Sequence, residues 1–427
     1  MEIQLKDVIK IKHGFAFKGE HFSDEETGYA VLTPGNFSLS GGFQETDKFY
    51  DSDDFPKEFV LSAGDLIVTM TDLSKEADTI GYAALVPENS KHRYLHNQRI
   101  GLVTVFNPDF EKEYLYWLMR SPHYQRTIAN SSNGATVHHT SPEKICRYRF
   151  EKRSKRVQSR IATILSTYDK LIEVNNKRIK VLEQMAKNLY KEWFVRFRFP
   201  GHESIDFVNS IVGRIPSSFS IVKMQDVFEY YIGGGWGNDD ESDDFPVAAY
   251  VIRGTDFPRV ARGDVSTCPL RYHKKSNYAS RELKLDDIIL EVSGGTAEQP
   301  VGRTLLLNDS VLSRLGDKVI CASFCKLIRL RKSVISPLYF YYWMQFLYDT
   351  RIIDRFQLQS TGIINFQFEY FLRKGEILLP TNIIMDEFDA RVRRIHGEIA
   401  ILAEQNEKLI QQRDLLLPRL MSGQLEV

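Results

Sequence analysis

The chain lacks an excess of charge of either sign: its 427 residues include 56 Lys and Arg and 56 Asp and Glu, so its net charge is zero. A neutral chain is expected to bind a polyanion only modestly, because phosphate contacts depend on Lys and Arg. It has only four cysteines, at spacings that fit neither a disulfide framework nor a zinc site. No apolar run approaches 18 residues, and the first residues do not resemble a signal peptide. We therefore expect a cytoplasmic protein.

Signatures of catalysis are also missing. Residues 107–110 (Asn-Pro-Asp-Phe) have Asp where the Asn-Pro-Pro-aromatic loop of amino-methyltransferases has its second Pro. Residues 282–284 form a Glu-x-Lys, but without the clustered carboxylates that a metal-dependent nuclease needs. The glycines of residues 233–237 lack the Lys-Ser/Thr of a P-loop, so we interpret this segment as a turn or a DNA-approaching loop. The sequence predicts a non-catalytic protein without a cofactor or a metal.

The second half of the chain repeats the first in diverged form. Residues 63–68 and 285–290 each bring an acidic residue before an apolar strand, and residues 114–119 and 338–344 each form an aromatic helix. Runs of apolar, often β-branched residues predict strands at residues 65–70, 101–106, 288–292 and 326–330. Because strands and one clear helix are mixed in each half, we predict the α+β class. The expected architecture is two α+β heads and two long antiparallel helices, related by an internal pseudo-two-fold repeat.

Each half ends in an apolar stripe with the alternating spacing of a coiled coil. The first stripe is Ile161, Leu165, Tyr168, Ile172, Asn175, Ile179, Leu182, Ala186, Leu189 and Trp193, and the second is Phe388, Val392, Ile395, Ile399, Leu402, Asn406, Leu409, Arg413, Leu416 and Leu420. Asn175 and Asn406 are of the type that fixes helix register at some cost in stability. Residues 199–201 (Phe-Pro-Gly) and Pro418 are expected to end the two helices. An antiparallel pair of helices roughly 54 Å long would hold the two heads apart.

Basic residues recur where each head runs into its helix. They are Arg147, Arg149, Lys152, Arg153, Lys155, Arg156 and Arg160 in the first half and Arg391, Arg393 and Arg394 in the second. Their recurrence favours a common polyanionic partner, and we expect double-stranded DNA. The alternative is a non-catalytic assembly scaffold with two protein-binding heads on a coiled-coil spacer. Salt separates the two hypotheses, because DNA binding weakens steeply as salt rises.

Bases are read by Asn, Gln, Arg, Ser and Thr side chains on loops that can enter a groove. In the first half the candidates are Thr69, Thr71, Asn97, Gln98, Arg99, Ser132, Asn133 and Thr136. In the second half they are Ser293, Thr296, Gln299, Arg303, Gln359, Ser360 and Thr361. The glycine-containing polar stretches around Gly134 and Gly362 fall at equivalent places in the repeat, just after the aromatic helix. This paired location favours both stretches as base-reading loops.

Several motifs resemble one family. Residues 175–179 (Asn-Asn-Lys-Arg-Ile), 182–190 and 193–197 resemble the central conserved region of type I restriction-modification specificity subunits. Residues 213–216 (Gly-Arg-Ile-Pro) resemble the lead-in to their second target-recognition domain, and residues 415–425 resemble their C-terminal signature. The resemblance implies a non-catalytic reader of a two-part DNA target. It also implies assembly with two modification (methyltransferase) subunits and, for cleavage, with ATP-dependent restriction subunits.

The resemblance and the repeat together predict four segments. They are a first target-recognition domain (residues 1–150), a central long helix (151–199), a second target-recognition domain (200–382) and a C-terminal long helix (383–427). Apolar residues at the helix ends exceed what one two-helix seam buries, and exposed patches of this kind usually mark protein interfaces. We therefore expect the modification subunits to dock there. The candidate partner contacts are Asn175, Leu189, Trp193, Asn406, Leu416 and Leu420.

Overall fold

A computed structural model describes residues 2–39, 41–45, 48–72, 77–89, 91–134, 137–296, 299–316, 318–360 and 363–427. The chain forms two compact units, Met1–Ile172 with Lys408–Val427 and Glu173–Glu407. Each unit contains an α+β head and a segment of each of two long helices. Among the described residues, no helix is both long and apolar enough to cross a membrane. The division into four predicted segments stays a prediction.

The first unit is built from short strands, short helices and the start of a long one. Its strands are β1 (Glu2–Gln4), β2 (Ile9–His13), β3 (Phe22–Ser23), β4 (Tyr29–Leu32), β5 (Phe49–Tyr50), β6 (Leu66–Thr69), β7 (Thr71–Asp72), β8 (Ala83–Leu85), β9 (Arg93–His96), β10 (Ile100–Val105), β11 (His138–His139) and β12 (Arg149–Glu151). Its helices are α1 (Lys112–Leu118), α2 (Pro122–Ser131), α3 (Pro142–Cys146) and the long α4 (Lys155–Tyr190), which continues into the second unit.

Strand pairing in the first unit follows the pattern of apolar residues. Strands β2, β10, β6 and β8 form an antiparallel sheet in that order. All four residues of β6 are buried, as expected of an inner strand covered on both faces. A second sheet has the order β3-β5-β4-β9, with β4 and β9 parallel. Helix α1 supplies large core side chains, including the fully buried Tyr114 and Trp117, and the Trp117 indole donates to the Ser166 hydroxyl of α4 at 2.9 Å.

The second unit contains the remaining strands and helices. Its strands are β13 (Phe207–Ser210), β14 (Gly213–Pro216), β15 (Ser220–Lys223), β16 (Phe228–Gly233), β17 (Val247–Ile252), β18 (Leu270–His273), β19 (Ile288–Glu291), β20 (Ser293–Gly295), β21 (Thr304–Leu306), β22 (Val319–Cys321), β23 (Cys325–Leu330), β24 (Gln357–Ser360), β25 (Ile363–Phe366) and β26 (Glu376–Leu379). Its helices are α5 (Met224–Val227), α6 (Phe257–Val260), α7 (Lys275–Arg281), α8 (Asp309–Leu315), α9 (Pro337–Asp349), α10 (Phe368–Lys374) and the long α11 (Asn382–Ser422), which ends in the first unit.

The two heads share one topology, which confirms the internal repeat and the α+β class. The antiparallel sheet β16-β23-β19-β21 of the second head corresponds to β2-β10-β6-β8 of the first. The parallel pair β17 and β22 corresponds to β4 and β9. The pair β20 and β25 corresponds to β7 and β11, and helix α9 corresponds to α1. The four strands predicted from the sequence are β6, β10, β19 and β23, each within two residues of its predicted bounds.

The ends of the long helices differ partly from the prediction. Helix α4 passes into a single π-helical turn, Lys191–Val195, and stops before Phe199 and Pro200, as expected. Helix α11 does not end at Pro418, which lies inside it. A proline removes one helical hydrogen bond. Its neighbours Leu417 and Leu420 are buried in the core of the first unit, so tertiary packing holds the last turn in place.

Within each unit the segments of α4 and α11 run antiparallel. In the second unit, Ile179 packs against Ile399 and Leu402 in a small apolar cluster. The buried Asn175 donates its amide to the carbonyl oxygen of Asn406 at 2.9 Å. This hydrogen bond pairs a buried donor of one helix with a buried acceptor of the other. A shift of the helices would leave both groups unpaired, so the pair fixes the register.

The first unit has an ionic counterpart in the same seam. Arg413 occupies an apolar-stripe position of α11 and bonds Asp169 of α4 at 2.6 Å. Arg120, which follows α1, bonds the other carboxylate oxygen of Asp169 at 2.8 Å. One carboxylate therefore ties the head of the first unit to both helices, and it explains why a cation can interrupt the stripe.

Candidate nucleic-acid interface

Three predicted base-reading segments lie together in the first head: residues 69–72, 96–99 and 130–134. The Met70 N–H donates to the Arg99 carbonyl, and the Met70 carbonyl accepts from the Thr140 N–H, both at 3.0 Å. Asn133 and His139 exchange two backbone hydrogen bonds of 2.9 and 2.8 Å. The chain thus brings segments that are distant in sequence to the edge formed by β7 and β11.

The second head repeats this arrangement with the same backbone contacts. The Val292 N–H donates to the Phe324 carbonyl, and the Val292 carbonyl accepts from the Phe366 N–H, both at 2.9 Å. The Ser293 hydroxyl bonds the side-chain oxygen of Asn365 across β20 and β25 at 2.7 Å. Equivalent loops therefore converge at the same edge of each head, which supports treating the two edges as one kind of site.

The candidates of the first head that remain accessible lie in the turn after β9 and after α2. Gln98 and Arg99 are exposed. Within the described part of the chain, the Arg99 guanidinium has no hydrogen bond or ion pair. Asn97 is half-buried and accepts the Arg99 N–H at 3.0 Å, which shapes the turn. Asn133 is exposed but accepts from the Lys144 ammonium at 3.0 Å, and the half-buried Ser132 donates to a backbone carbonyl.

Two candidates of the first head are corrected by burial. Thr69 and Thr71 are almost fully buried, and neither can reach a DNA groove. The Thr69 hydroxyl donates to the Thr71 carbonyl at 2.8 Å, and the Thr71 hydroxyl lies 3.2 Å from the His139 ring nitrogen. Thr69 therefore connects β6 to β7, and Thr71 connects β7 to β11. Thr136 lies outside the described residues.

In the second head, Thr296 and Gln299 are exposed and Ser293 is half-buried. Arg303 is corrected: it forms a bidentate pair with the buried Glu291, at 2.8 and 2.6 Å. These hydrogen bonds raise the pKa of Arg303, so its charge is committed within the head. The backbone of Gln359 and Ser360 lies in β24, while their side chains, like Thr361, lie outside what is described.

Four of the six candidate partner contacts are buried by the chain itself, whereas Leu189 and Leu416 are partly exposed and stay predictions. Trp193 and Leu420 are almost fully buried, in the cores of the second and first unit respectively. Leu189 and Leu416 are partly buried against the same cores. Asn175 and Asn406 are buried and bonded to each other. Within each unit, the core therefore covers Trp193 or Leu420 without a partner.

A different set of apolar side chains on the long helices is exposed. On α4 they are Leu171, Val174, Val181 and Met185, and on α11 they include Ile401 and Leu415. Along α4, residues 171, 174, 178, 181 and 185 alternate three- and four-residue steps, offset from the buried stripe. A second stripe with this spacing is typical of a helix that packs on more than one neighbour. Arg178 is the polar member of the series.

Comparisons with known proteins agree with the fold and the motifs. A family model described as the type I restriction modification DNA specificity domain matches residues 1–184. The type I restriction enzyme MjaIX specificity subunit of Methanocaldococcus jannaschii is 23% identical over 359 residues, covering 82% of this chain and 76% of that protein. Residues 1–184 thus match the DNA specificity domain of type I restriction-modification systems, and most of the chain is similar to a specificity subunit. The MjaVIII specificity subunit of the same organism is 32% identical over 136 residues, covering 32% of this chain and 31% of that protein.

The fold of the chain also has a counterpart among solved structures. The crystal structure of a type I restriction-modification S subunit from M. genitalium aligns with a TM-score of 0.51 at 11% identity, covering 99% of this chain and 96% of that chain. Both M. jannaschii relatives are named specificity subunits, which supports the prediction of a non-catalytic protein.

One exposed residue at the candidate interface is absent from the sequence-based candidates. Phe324 lies in the turn between β22 and β23, with its carbonyl bonded to Val292 as that of Arg99 is bonded to Met70. A search restricted to polar side chains passes over an aromatic residue. The signal that could have found it is the repeat itself, because residues 97–100 align with residues 322–325.

Proposed function

We propose that this chain is a type I restriction-modification specificity subunit. It reads a bipartite DNA target, one part with each head, and assembles with modification subunits and, for cleavage, restriction subunits. The observation that carries the proposal is the pair of heads with one topology and different exposed side chains at corresponding loops. Gln98 and Arg99 are exposed in the turn after β9 of the first head, and Ser323 and Phe324 are exposed in the corresponding turn after β22 of the second. Equal scaffolds with unequal loops are suited to binding the same kind of ligand with different sequence preference.

The experiment is a methylation map of cellular DNA. The chain is expressed with its modification subunit in a host without other DNA methylation, and methylated bases are located by sequencing. We expect one motif with two specified parts and an unspecified gap. Exchanging residues 1–150 for the first head of another specificity subunit should change one part and leave the other unaltered, because each head reads its own segment. A single undivided motif, or changes in both parts, would contradict two independent readers.

The assembly part of the proposal is supported by the exposed stripe of α4 in the second unit. Three side chains of this stripe, Val174, Val181 and Met185, are each more than half exposed. Another face of the same helix already packs against α11 through Ile179. Burial of such side chains stabilises an interface by about 25 cal/mol per Å² of apolar surface. A modification subunit that packs a helix along this stripe would bury it.

The stripe is tested by the double substitution Val181→Glu with Met185→Glu. Glutamate keeps the helix propensity high but leaves charges in an apolar contact, so we expect assembly with the modification subunit to weaken at least ten-fold. The thermal unfolding temperature of the isolated chain should not change, since both side chains are exposed. Sedimentation of mixed subunits measures the assembly. The matched control is Ile383→Glu, which alters a side chain 79% exposed in the first turn of α11. Equal assembly by both variants would exclude the stripe.

A further inference from the structure

One turn has the same backbone frame in both heads. Residues 97–100 join β9 to β10, and residues 322–325 join β22 to β23. In each turn the N–H of the fourth residue donates to the carbonyl of the first, at 3.0 and 2.8 Å. A glycine of a neighbouring segment packs directly beneath each turn. A Cβ on Gly14 would lie 2.2 Å from the first carbonyl oxygen of one turn, and a Cβ on Gly234 would lie 2.1 Å from that of the other.

The side chains that the two turns expose differ in chemistry. The second and third residues are Gln98 and Arg99 in the first head and Ser323 and Phe324 in the second, and all four are exposed. Phe324 has 67% of its surface exposed. The phenyl ring therefore contributes little to the core. The Phe324 backbone, in contrast, is held in place, because its carbonyl accepts a hydrogen bond from the N–H of Val292, just before β20.

A single exposed apolar residue is common on protein surfaces and does not by itself mark a site. Two further observations distinguish Phe324. It lies at the loop edge where the second head brings together the segments around Ser293 and Asn365. It also lies at the position that the first head gives to Arg99, an exposed cation with no partner among the described residues. The two turns therefore expose two chemically different side chains on equivalent backbone positions.

We propose that Phe324 determines one base of the second half-target by apolar contact with a thymine methyl group in the major groove. Arg99 at the equivalent turn would read a guanine in the first half-target. Apolar contact with the thymine C5-methyl and bidentate hydrogen bonding of Arg to guanine are both major-groove contacts, so one docking geometry serves both heads. The inference rests on the proposed function and adds the residues and the base chemistry.

The test removes the methyl group and the ring separately. The full chain, assembled with its modification subunit, is titrated with 30-base-pair duplexes that carry the target found by methylation mapping. Each thymine of the second half-target is replaced in turn by deoxyuridine, which lacks only the methyl group. We expect one replacement to weaken binding about four-fold, the loss of one buried methyl-sized group. Phe324→Ala should weaken binding to the thymine duplex several-fold and should bind the thymine and deoxyuridine duplexes equally.

Controls separate a base contact from other effects. Ile211→Ala truncates a side chain 82% exposed at the tip of the β13–β14 hairpin and should retain the deoxyuridine effect. Phe324→Arg should move the preferred base at that position towards guanine, as the chemistry of Arg99 implies. Persistence of the deoxyuridine effect in Phe324→Ala would overturn the proposal. The proposal would also be overturned if Phe324→Ala lost binding equally to every DNA sequence. That result would indicate that the ring inserts between base pairs without reading a base. Failure of the unaltered complex to prefer any sequence would instead contradict the proposed function.

Discussion

Substitution of Asp169 by alanine is expected to destabilise the first unit by about 3 kcal/mol. Arg120 and Arg413, whose side chains are 3% and 7% exposed, both donate to this carboxylate. Breaking a buried ion pair by removing one partner typically costs about 3–5 kcal/mol, because a buried charge loses its compensation. We expect the lower end of this range, since Asp414 also lies 2.8 Å from Arg413. Amide hydrogen exchange should accelerate in β10 and α1 of the first unit and stay unchanged in β19 and β23 of the second, which would localise the loss of stability to the first unit.

Replacement of the whole cluster provides the matched control for Asp169. The triple variant Arg120→Met, Asp169→Leu, Arg413→Met removes the charges together and retains most of the volume. Buried ion clusters replaced in this way are often neutral or stabilising, so the triple variant should be markedly more stable than Asp169→Ala alone. An Asp169→Ala protein with unchanged exchange rates would show that the carboxylate does not hold the head to the helices. If the triple variant were as unstable as Asp169→Ala, the loss of stability would come from altered packing and not from the uncompensated charges.

The repeat and the secondary structure could be predicted because their signals are local. Alternating or continuous apolar runs fix β6 and β19, and sustained three- and four-residue spacing fixes α4 and α11. The pairing of Asn175 with Asn406 was also accessible in principle, since both interrupt antiparallel stripes. The role of Arg413 was not, because its partner Asp169 lies outside the apolar stripe of α4 and the third member, Arg120, lies in the head.

Candidate base contacts could be located by segment but not by side chain. The sequence identifies polar loops near the aromatic helices, and the structure brings these loops together at one edge of each head. Polar composition does not report burial, however, because residues 69–72 are all buried, Thr69 and Thr71 included. Arg303 could not be separated from a free cation, because its partner Glu291 is twelve residues away on a neighbouring strand. Loop composition predicts where a groove can be approached, and only packing determines which side chains remain available.

Trp193→Ala is expected to destabilise the second unit by about 3–5 kcal/mol, the usual cost of truncating a buried Trp. Trp193 is 4% exposed and packs in one core with Phe194 and Phe388. The Arg391 guanidinium covers its ring at 5.0 Å from the ring centre. Hydrogen exchange of β19, β23 and α9 should therefore accelerate in the variant, while the first unit keeps its protection.

Assembly distinguishes this core role of Trp193 from a partner contact. If the second unit buries the indole without a partner, the variant that remains folded at low temperature should bind the modification subunit with nearly unchanged affinity. Val181→Glu with Met185→Glu should give the opposite result, with normal stability and weak assembly. Conversely, loss of assembly by Trp193→Ala with unchanged hydrogen exchange would return this residue to the partner surface. The two variants thus separate a buried side chain of the π-helical turn, which stabilises the chain, from exposed side chains of α4, which we propose another subunit covers.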